Sequence, residues 1–275
     1  MKNKTIILKI FKENFLNILF FILAILFVLG GKYNYTNRPM IVFFDIGQGD
    51  SILIQQGNYQ VLVDGGPGDE IIFSLPKYMP WYDNTIETVV LTHPHADHIN
   101  GIMSILQNYE VERILYNPIE YQNSAYEYLI ENYKDILVSV KSGDTFGYED
   151  IFFTVLYPFE TNDKQEENIN NESVVLLARI ADKKILLMGD SEQEVEEKLL
   201  QEDIRDVYVL KIGHHCSRTS TSQMFLTSVS PEVAICSVGM NNKFGHPHYE
   251  TIEKLKNANV QYLITYEEGD ILLNF

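Results

Sequence analysis

The histidines of this chain fall in three short groups, and none stands alone. They are His93, His95, His98, His214, His215, His246 and His248. The first group, HPHADH, also contains Asp97 and follows the apolar run TVVL. Imidazole and carboxylate groups are good ligands for Zn2+ or Mn2+. The HxHxDH spacing therefore predicts a metal centre, since a solvated polar turn rarely has this pattern.

Three further segments carry candidate site residues. Asp190 follows a glycine at the end of the apolar strand ILLM, where its two oxygens could bridge two ions. His214 and His215 end the strand VYVLKI, and His246 and His248 lie in FGHPH. A Gly-Asp pair alone marks only a turn. The prediction for Asp190 therefore depends on the first histidine group.

The elements that must position these groups are short apolar strands alternating with amphipathic helices. Strands are predicted at 41–46, 51–55, 60–64, 88–93, 112–116, 151–157, 173–180, 184–188, 207–212, 233–237, 261–265 and 270–274. Helices are predicted around 100–109, 123–133, 192–202, 222–228 and 249–258. This alternation predicts a layered α/β sandwich with the candidate groups at strand ends.

The charge of the chain limits its possible partners. The 275 residues include 38 acids and 21 bases, a formal net charge of −17. Such a chain does not bind nucleic acid through a broad basic face. A site for a single phosphodiester stays possible, because bound metal ions supply local positive charge. Lys211, Arg218 and Lys243, near the motifs, are expected to offset part of the acidity.

The N-terminal segment predicts a membrane anchor. Residues 14–31 contain no charge, and at about 1.5 Å per residue they span roughly 27 Å, close to a hydrocarbon core of about 30 Å. Four lysines precede them, which predicts a cytoplasmic N-terminus. We expect a cytoplasmic tip and anchor at 1–31, a linker at 32–39 and an extracytoplasmic domain at 40–275. A cleaved signal peptide, and so a secreted protein, is the alternative, and a buried core helix is a third.

As a set, the motifs resemble the metallo-β-lactamase superfamily, and within it the ComEC-like domains of competence DNA-uptake proteins. The matching segments are DIGQGDS (45–51), LVDGG (62–66), THPHADH (92–98), NNES (170–173), MGDS (188–191), KIGHHCS (211–217) and FGHPH (244–248). The resemblance implies an αββα sandwich that holds one or two divalent metal ions, Zn2+ or Mn2+. No channel region accompanies the domain in these residues, so we expect it to act as a standalone module.

The resemblance also implies a ligand set for the metals. Its members are His93, His95, Asp97, His98, Asp190 and His215. His93 and His95 would bind the first metal and Asp190 would bridge to the second. Asp97 and His214 are the predicted catalytic residues, although His214 and His215 could exchange roles. No third histidine precedes the Gly-Asp turn, so a single metal stays possible.

Other residues are predicted to contact substrate or to support the ligands. The predicted substrate contacts are Asn170, Ser173, Ser217 and His246. The predicted supports are Asp64 behind a ligand histidine, and Asp45, Gln48 and Asp50 at the entrance. At 216 the ComEC-like pattern has glycine, and this chain has cysteine. Cys216 could be a soft ligand or a redox-sensitive thiol, but we favour simply a small side chain, with Cys236 buried.

These features predict a metal-dependent hydrolase. A bound metal lowers the pKa of a water molecule to about 7, and the resulting hydroxide attacks the substrate. The leading prediction is a phosphodiesterase or nuclease acting on DNA, with DNA-uptake or envelope partners. The alternatives are hydrolysis of a small or wall-attached ester (a phosphocholine ester, a lactone or a β-lactam) and a non-catalytic metal-binding envelope module. The oligomeric state is not predicted.

Overall fold

The computed structural model describes residues 14–15, 17–25, 27, 37–160 and 165–275. The chain divides into two units, 1–38 and 39–275. In the first unit, all the described residues up to 27 are helical. Within the described ranges, no helix has both the length and the apolar character needed to cross a bilayer. The predicted transmembrane helix is therefore unsupported, and part of it (16, 26 and 28–31) lies outside the described residues.

Two seven-stranded sheets form the second unit. The first contains β1 (Met40–Phe43), β2 (Ile52–Gln56), β3 (Tyr59–Val63), β5 (Thr88–Leu91), β7 (Ile114–Tyr116), β8 (Leu137–Ser139) and β16 (Ile271–Asn274). The second contains β9 (Thr145–Tyr148), β10 (Ile151–Tyr157), β11 (Val175–Ile180), β12 (Lys183–Leu187), β13 (Val209–Lys211), β14 (Val233–Cys236) and β15 (Gln261–Ile264). A short parallel pair joins β4 (Thr85–Ile86) to β6 (Glu110–Val111).

Each sheet has one antiparallel half and one parallel half. The first runs in the order β16-β1-β2-β3-β5-β7-β8, and it becomes parallel from β3 onwards. The second runs in the order β15-β14-β13-β12-β11-β10-β9, and its parallel half ends at β12. Parallel strands end at a common edge, which is where α/β proteins usually build their sites.

Helices cover the outer faces of the two sheets. They are α1 (Glu70–Ser74), α2 (Ala96–Asn108), α3 (Ser124–Asn132), α4 (Gln193–Leu199), α5 (Gln223–Val229), α6 (Tyr249–Asn257) and α7 (Thr265–Glu268). Single 3-10 turns occur at Leu75–Lys77, Lys134–Ile136, Ile169–Glu172 and Gly213–Cys216. α2 and α3 pack on the first sheet, and α4, α5 and α6 pack on the second. The αββα prediction is confirmed.

The alternation of side chains along the strands explains these layers. In β3, Val63 belongs to the core between the sheets, while Leu62 packs in the outer layer with α2. In β12, Leu187 faces the other sheet and Leu186 lies in the layer with α4. Both faces are buried, so these strands are continuous apolar runs without a polar face. The packed layers leave the strand ends free to carry polar groups.

Candidate metal centre

The predicted ligands come together where strands of both sheets end. His93 lies two residues beyond β5, and Asp97 and His98 occupy the first turn of α2. Asp190 follows β12, and His215 lies in the 3-10 turn after β13. The histidine motif therefore comes from the first sheet, and the remaining two ligands come from the second.

One oxygen of Asp190 is the centre of this cluster. Its Oδ2 lies 3.8 Å from Nε2 of His93 and 3.4 Å from Nε2 of both His98 and His215. Oδ2 of Asp97 lies 3.4 Å from the same His215 nitrogen. Direct N–H···O hydrogen bonds are shorter, about 2.7–3.2 Å. The cluster is therefore spaced more widely than a hydrogen-bonded network.

Four overlapping groups of three described residues have potential ligand atoms that all lie within 4.8 Å of one another, and we call these the close-set groups. They are His93, His98 and Asp190; Asp97, His98 and His215; Asp50, Asp190 and His215; and Asp50, Asp64 and His98. The two nitrogens that face Oδ2 of Asp190, Nε2 of His98 and Nε2 of His215, are buried without a hydrogen-bond partner among the described residues, and so is the other oxygen of Asp190, Oδ1. Unpartnered buried polar atoms are costly. This donor set therefore fits divalent cations.

Hydrogen bonds on the far side of each ring turn Nε2 towards the cluster. Nδ1 of His98 lies 2.8 Å from Oδ2 of Asp64, and that carboxylate also accepts bonds from the backbone and hydroxyl of Thr92. Nδ1 of His215 lies 3.0 Å from the carbonyl oxygen of Ser237. A proton on Nδ1 leaves the Nε2 lone pair free for a metal. The structure places Asp64 behind His98, one of the predicted ligands.

A backbone contact between two glycines fixes His98 over Asp64. The amide of Gly65 donates to the carbonyl of His98 at 2.8 Å, and the amide of Gly101 donates to the carbonyl of Gly66 at 3.0 Å. A Cβ on Gly101 would lie 1.8 Å from the carbonyl oxygen of Gly65. The turn after β3 and the helix α2 can approach so closely only because neither residue has a side chain.

A buried ion pair supports the second-sheet ligands. Lys211 is fully buried and pairs with Asp50, and its Nζ also donates to the carbonyl of Gly189 at 3.0 Å. Oδ1 of Asp50 lies 3.4 Å from Nδ1 of His215. The prediction that Lys211 offsets the acidity near a substrate is wrong, because its charge is used inside the protein. Asp50 supports His215.

Cys216 forms a disulfide bond with Cys236. The interpretation of Cys216 as only a small side chain is therefore wrong, and so is the view of Cys236 as merely buried. His214, His215 and Cys216 have φ angles of 47°, 52° and 59°, in the left-handed region that non-glycine residues rarely adopt. This turn separates the histidine pair: His215 is buried in the cluster, and 26% of the His214 side chain is exposed.

His214 is held outside the ligand cluster by a glutamate. Its Nδ1 lies 2.8 Å from Oε1 of Glu192 and 3.3 Å from Oγ1 of Thr219. Nδ2 of Asn170 donates to the same glutamate oxygen at 3.1 Å. The His246 ring lies 5.4 Å from His214, between centroids. The sequence analysis missed Glu192, although it stands only two residues after Asp190.

All four residues predicted to contact substrate are buried, and the hydroxyls of two of them, Ser173 and Ser217, form contacts within the protein. Ser173 accepts a bond from the Asp190 amide at 3.0 Å, and its Oγ lies 3.3 Å from Nδ1 of His93. It therefore supports two ligands. Ser217 is 3% exposed, and its hydroxyl lies 3.0 Å from Oγ1 of Thr219. Neither hydroxyl is placed to meet a substrate.

Two of the residues predicted to lie at the entrance, Asp45 and Gln48, contact different parts of the chain. The amide of Asp45 donates to Oδ1 of Asp270 at 3.0 Å, so this residue lies beside the start of β16. Oε1 of Gln48 accepts from the amide of Gly239 at 3.3 Å, which ties its loop to the segment after β14. Nδ1 of His248 accepts from the amide of Arg218, so this histidine fixes a loop.

His95 lies at the edge of the cluster, and its neighbour Tyr121 lines a cavity. Its Nδ1 is 3.0 Å from Nε2 of His93, but it does not join the close-set groups of described ligand atoms. Its ring lies 5.4 Å from the ring of Tyr121. Tyr121 lines a cavity of about 400 Å³, together with Tyr116, Pro118, Ile119, Glu120, Tyr126, Glu127, Ile130 and Glu131.

The charges of the cluster shift its pKa values in opposite directions. Burial lowers the pKa of His93 well below 6.5, and the charge of His98 adds to this effect. Burial also opposes the charged forms of His98 and His215, but Asp190 and a second carboxylate raise the pKa of both well above 6.5. Burial raises the pKa of Asp190, yet these two histidines hold it well below 3.8.

Comparison with known proteins gives one family match and several relatives. Residues 44–239 match the family model described as the metallo-beta-lactamase superfamily. ComE operon protein 3 of Bacillus subtilis is 29% identical over 254 residues, which cover 82% of this chain and 32% of that protein. Recombination protein 2 of Haemophilus influenzae is 29% identical over 236 residues, 84% of this chain and 28% of that protein. The chain spans about a third of the length of these relatives.

A solved structure gives the same fold. The crystal structure of Zn2+-bound PqqB from Methylobacterium extorquens superposes with a TM-score of 0.55 at 12% identity. The alignment covers 83% of this chain and 88% of that one. At this identity the match shows the fold alone.

Proposed function

Because the chain belongs to the metallo-β-lactamase superfamily, we propose that it is a metal-dependent hydrolase of phosphodiester bonds, with DNA as its substrate. One observation carries the hydrolase proposal: the unpartnered Nε2 atoms of His98 and His215 converge on Oδ2 of Asp190 in one buried cluster. A second-sheet histidine, His214, stands beside this cluster with a carboxylate partner.

The residues of the cluster would hold one or two divalent ions, Zn2+ or Mn2+. His93 and Asp190, with His95 adjacent, would hold one, and Asp97, His98 and His215 would hold the other. When bound, such ions supply Lewis-acid activation of a water molecule and of the phosphoryl oxygens. Asp97 is thereby a ligand whose loss removes activity, consistent with its predicted catalytic role.

His214 is proposed to handle the proton of the leaving oxygen. It is partly exposed, it lies beside the ligands and Glu192 fixes one of its nitrogens. A histidine oriented by a carboxylate is a common general acid or base. Burial, followed by the charge of His214, lowers the pKa of His246 to about 4, so His246 is neutral at pH 7. Asn170 and a neutral His246 then offer polar contacts to a substrate without adding charge.

The DNA proposal is supported by relatives and limited by charge. The chain matches a ComE operon protein and a recombination protein over more than four fifths of its length. Its net charge of −17 predicts weak non-specific binding, since DNA affinity normally depends on many Lys and Arg contacts. We therefore propose that the metal site, not a basic surface, selects the phosphodiester. We also propose that the hydrolase domain lies outside the cytoplasm and that it acts with DNA-uptake partners.

The test uses the full chain loaded with Mn2+ or Zn2+ and supplied with plasmid and single-stranded DNA. We expect cleavage of at least one DNA form, and none with Asp97→Ala. Asp182→Ala is the matched control, since Asp182 is exposed in the β11–β12 turn. Intact DNA with a metal-loaded parent protein would overturn the DNA proposal.

The cavity beside His95 favours a second candidate, hydrolysis of a small ester. Its aromatic side chains and its glutamates suit a neutral or cationic group better than a polyanion. This candidate predicts turnover of p-nitrophenyl phosphocholine without cleavage of DNA. Tyr121→Ala should then raise KM for that ester more than KM for bis-p-nitrophenyl phosphate. Equal effects on both would argue against a substrate pocket there.

A further inference from the structure

The Cys216–Cys236 disulfide lies next to the proposed ligand His215. Cys216 directly follows His215 in the turn after β13, and Cys236 is the last residue of β14. The residue after Cys236 is Ser237, whose carbonyl lies 3.0 Å from Nδ1 of His215. The bond therefore joins the neighbour of the ligand to the neighbour of the group that orients it.

The backbone at this turn needs such a constraint. His214, His215 and Cys216 are consecutive residues with positive φ, and none is glycine. Each would relax to a negative φ in an unconstrained loop, because L-residues with a Cβ disfavour the left-handed region. Relaxation would turn Nε2 of His215 away from Asp190 and Asp97. Backbone hydrogen bonds also hold this turn. For example, the amide of His214 donates to the carbonyl of Gly189 at 3.2 Å.

We propose that the Cys216–Cys236 disulfide is a positioning device for His215, and that the metal site containing His215 forms fully only when this bond is present. The inference rests on the proposed metal centre and requires no particular substrate. The bond forms when the two thiols pass two electrons and two protons to a disulfide oxidant, which becomes two thiols. Both cysteines are fully buried, so the bond acts as a permanent constraint in the folded protein.

The first measurement is the number of free thiols. The full chain, purified without reductant, is denatured and treated with a maleimide, and its mass is determined before and after reduction. We expect no added maleimide before reduction and two after it. Two free thiols in the unreduced protein, purified under oxidising conditions, would overturn the proposal.

The second measurement compares two variants without the bond. Cys216→Ser/Cys236→Ser keeps a Cβ at 216, whereas Cys216→Gly/Cys236→Ser has glycine, which adopts a positive φ readily. Metal affinity, from competition with a chelator, should fall in the order parent, Gly/Ser variant, Ser/Ser variant. The total loss should be about 10- to 100-fold, as for other residues that orient a ligand. Equal affinity in all three would overturn the proposal.

If the Ser/Ser variant does not fold, the Gly/Ser variant carries the comparison. Weaker metal binding than the parent supports the positioning role, and unchanged binding overturns it. Circular dichroism and thermal unfolding identify which variants are folded.

A double-mutant cycle separates positioning from general stability. His215→Ala already removes the ligand, so adding the Gly/Ser change should cost little further affinity. In the His93→Ala background, where His215 is still present, the Gly/Ser change should lower metal affinity as much as it does in the parent protein. Equal additional losses in both backgrounds would show that the bond does not act through His215. Because metal binding is measured without substrate, inactivity on DNA leaves this result unaffected.

Discussion

The two halves of the candidate metal centre are built differently. The first-sheet half is one continuous motif, in which His93, Asp97 and His98 lie within six residues at the start of α2. The second-sheet half takes Asp190 and His215 from two strands and fixes them with contacts between distant residues. The first half is therefore specified by local sequence, and the second by tertiary contacts.

The support for each half reflects this difference. Asp64 and two glycines hold the first half through hydrogen bonds and a close backbone approach. A buried ion pair, a disulfide bond and a left-handed turn hold the second half. The side chains of a continuous motif are already close together in the sequence and need only be oriented. Ligands from separate strands must also be held at the right distance from one another. The predictions below test that distinction.

The largest effect is expected from Asp190, which faces ligands of both halves. Asp190→Ala should remove all bound metal, because its Oδ2 faces three histidines. His93→Ala and His215→Ala should each lower the metal content less, and His215→Ala should spare the metal that His93 and Asp190 would hold. Metal per chain, measured by mass spectrometry after dialysis, checks this. If the three variants lose metal equally, the two halves act as a single site.

The next effect concerns the buried ion pair of the second half. Lys211→Met leaves the Asp50 charge buried and unpaired, which should lower the free energy of unfolding by about 3–5 kcal/mol. Lys77→Met is the matched control: its 3.3 Å pair with Asp270 is exposed on the lysine side and should contribute under about 1 kcal/mol. Urea unfolding of both variants gives the values. Similar losses would mean that burial of the pair is unimportant.

A smaller effect is expected from the support of the first half. Asp64→Asn removes the charge that faces Nδ1 of His98 while keeping the shape of the side chain. Metal affinity should fall by about 10- to 100-fold, while His98 remains the ligand. Isothermal titration with Zn2+ measures the change. Affinity equal to that of the parent would remove Asp64 from the support of the site.

The smallest effect is a pH dependence of metal binding. Carboxylates raise the pKa of His98 and His215 well above 6.5, so both rings carry an extra proton at pH 7 in the metal-free protein. A metal needs the Nε2 lone pair, so binding displaces protons and affinity should rise from pH 6 to 8. Calorimetry in buffers of different ionisation enthalpy counts the protons released. Affinity that is flat with pH would mean that the rings are neutral before binding.

The sequence predicted more of the first half than of the second. The spacing HxHxDH predicted a metal centre at residues that the structure brings together, except His95, although α2 begins at Ala96 and not near residue 100. The helical periodicity of apolar residues begins only at Ile99, so it does not reveal that the polar turn before it is already helical. His215 was favoured as the ligand over His214, but an exchange of their roles stayed open, because adjacent residues have the same local sequence signals. Their left-handed backbone decides it.

Errors about supporting residues have one common cause. Ser173, Ser217 and Lys211 have polar side chains near the motifs and were expected near the substrate, yet all three are buried. Polarity alone does not show whether a group faces solvent or satisfies another buried group. Glu192 was missed for the same reason, since an acid at a helix start is common without any site.

The sequence by itself determined the αββα layers, the family and the chemistry of the ligands. The α/β layering follows from strand periodicity and the ligand chemistry from residue types at strand ends, which are local properties. The αββα order and the family follow from the resemblance of the motif set to the metallo-β-lactamase superfamily. Tertiary structure alone decided which histidine of the pair enters the cluster, where Lys211 places its charge, and that Cys216 bonds to Cys236. The ion pair and the disulfide bond join residues that are 20 or more positions apart in the sequence. The choice between His214 and His215 depends on the direction in which the left-handed turn points each ring. Such contacts exist only after the two sheets have packed.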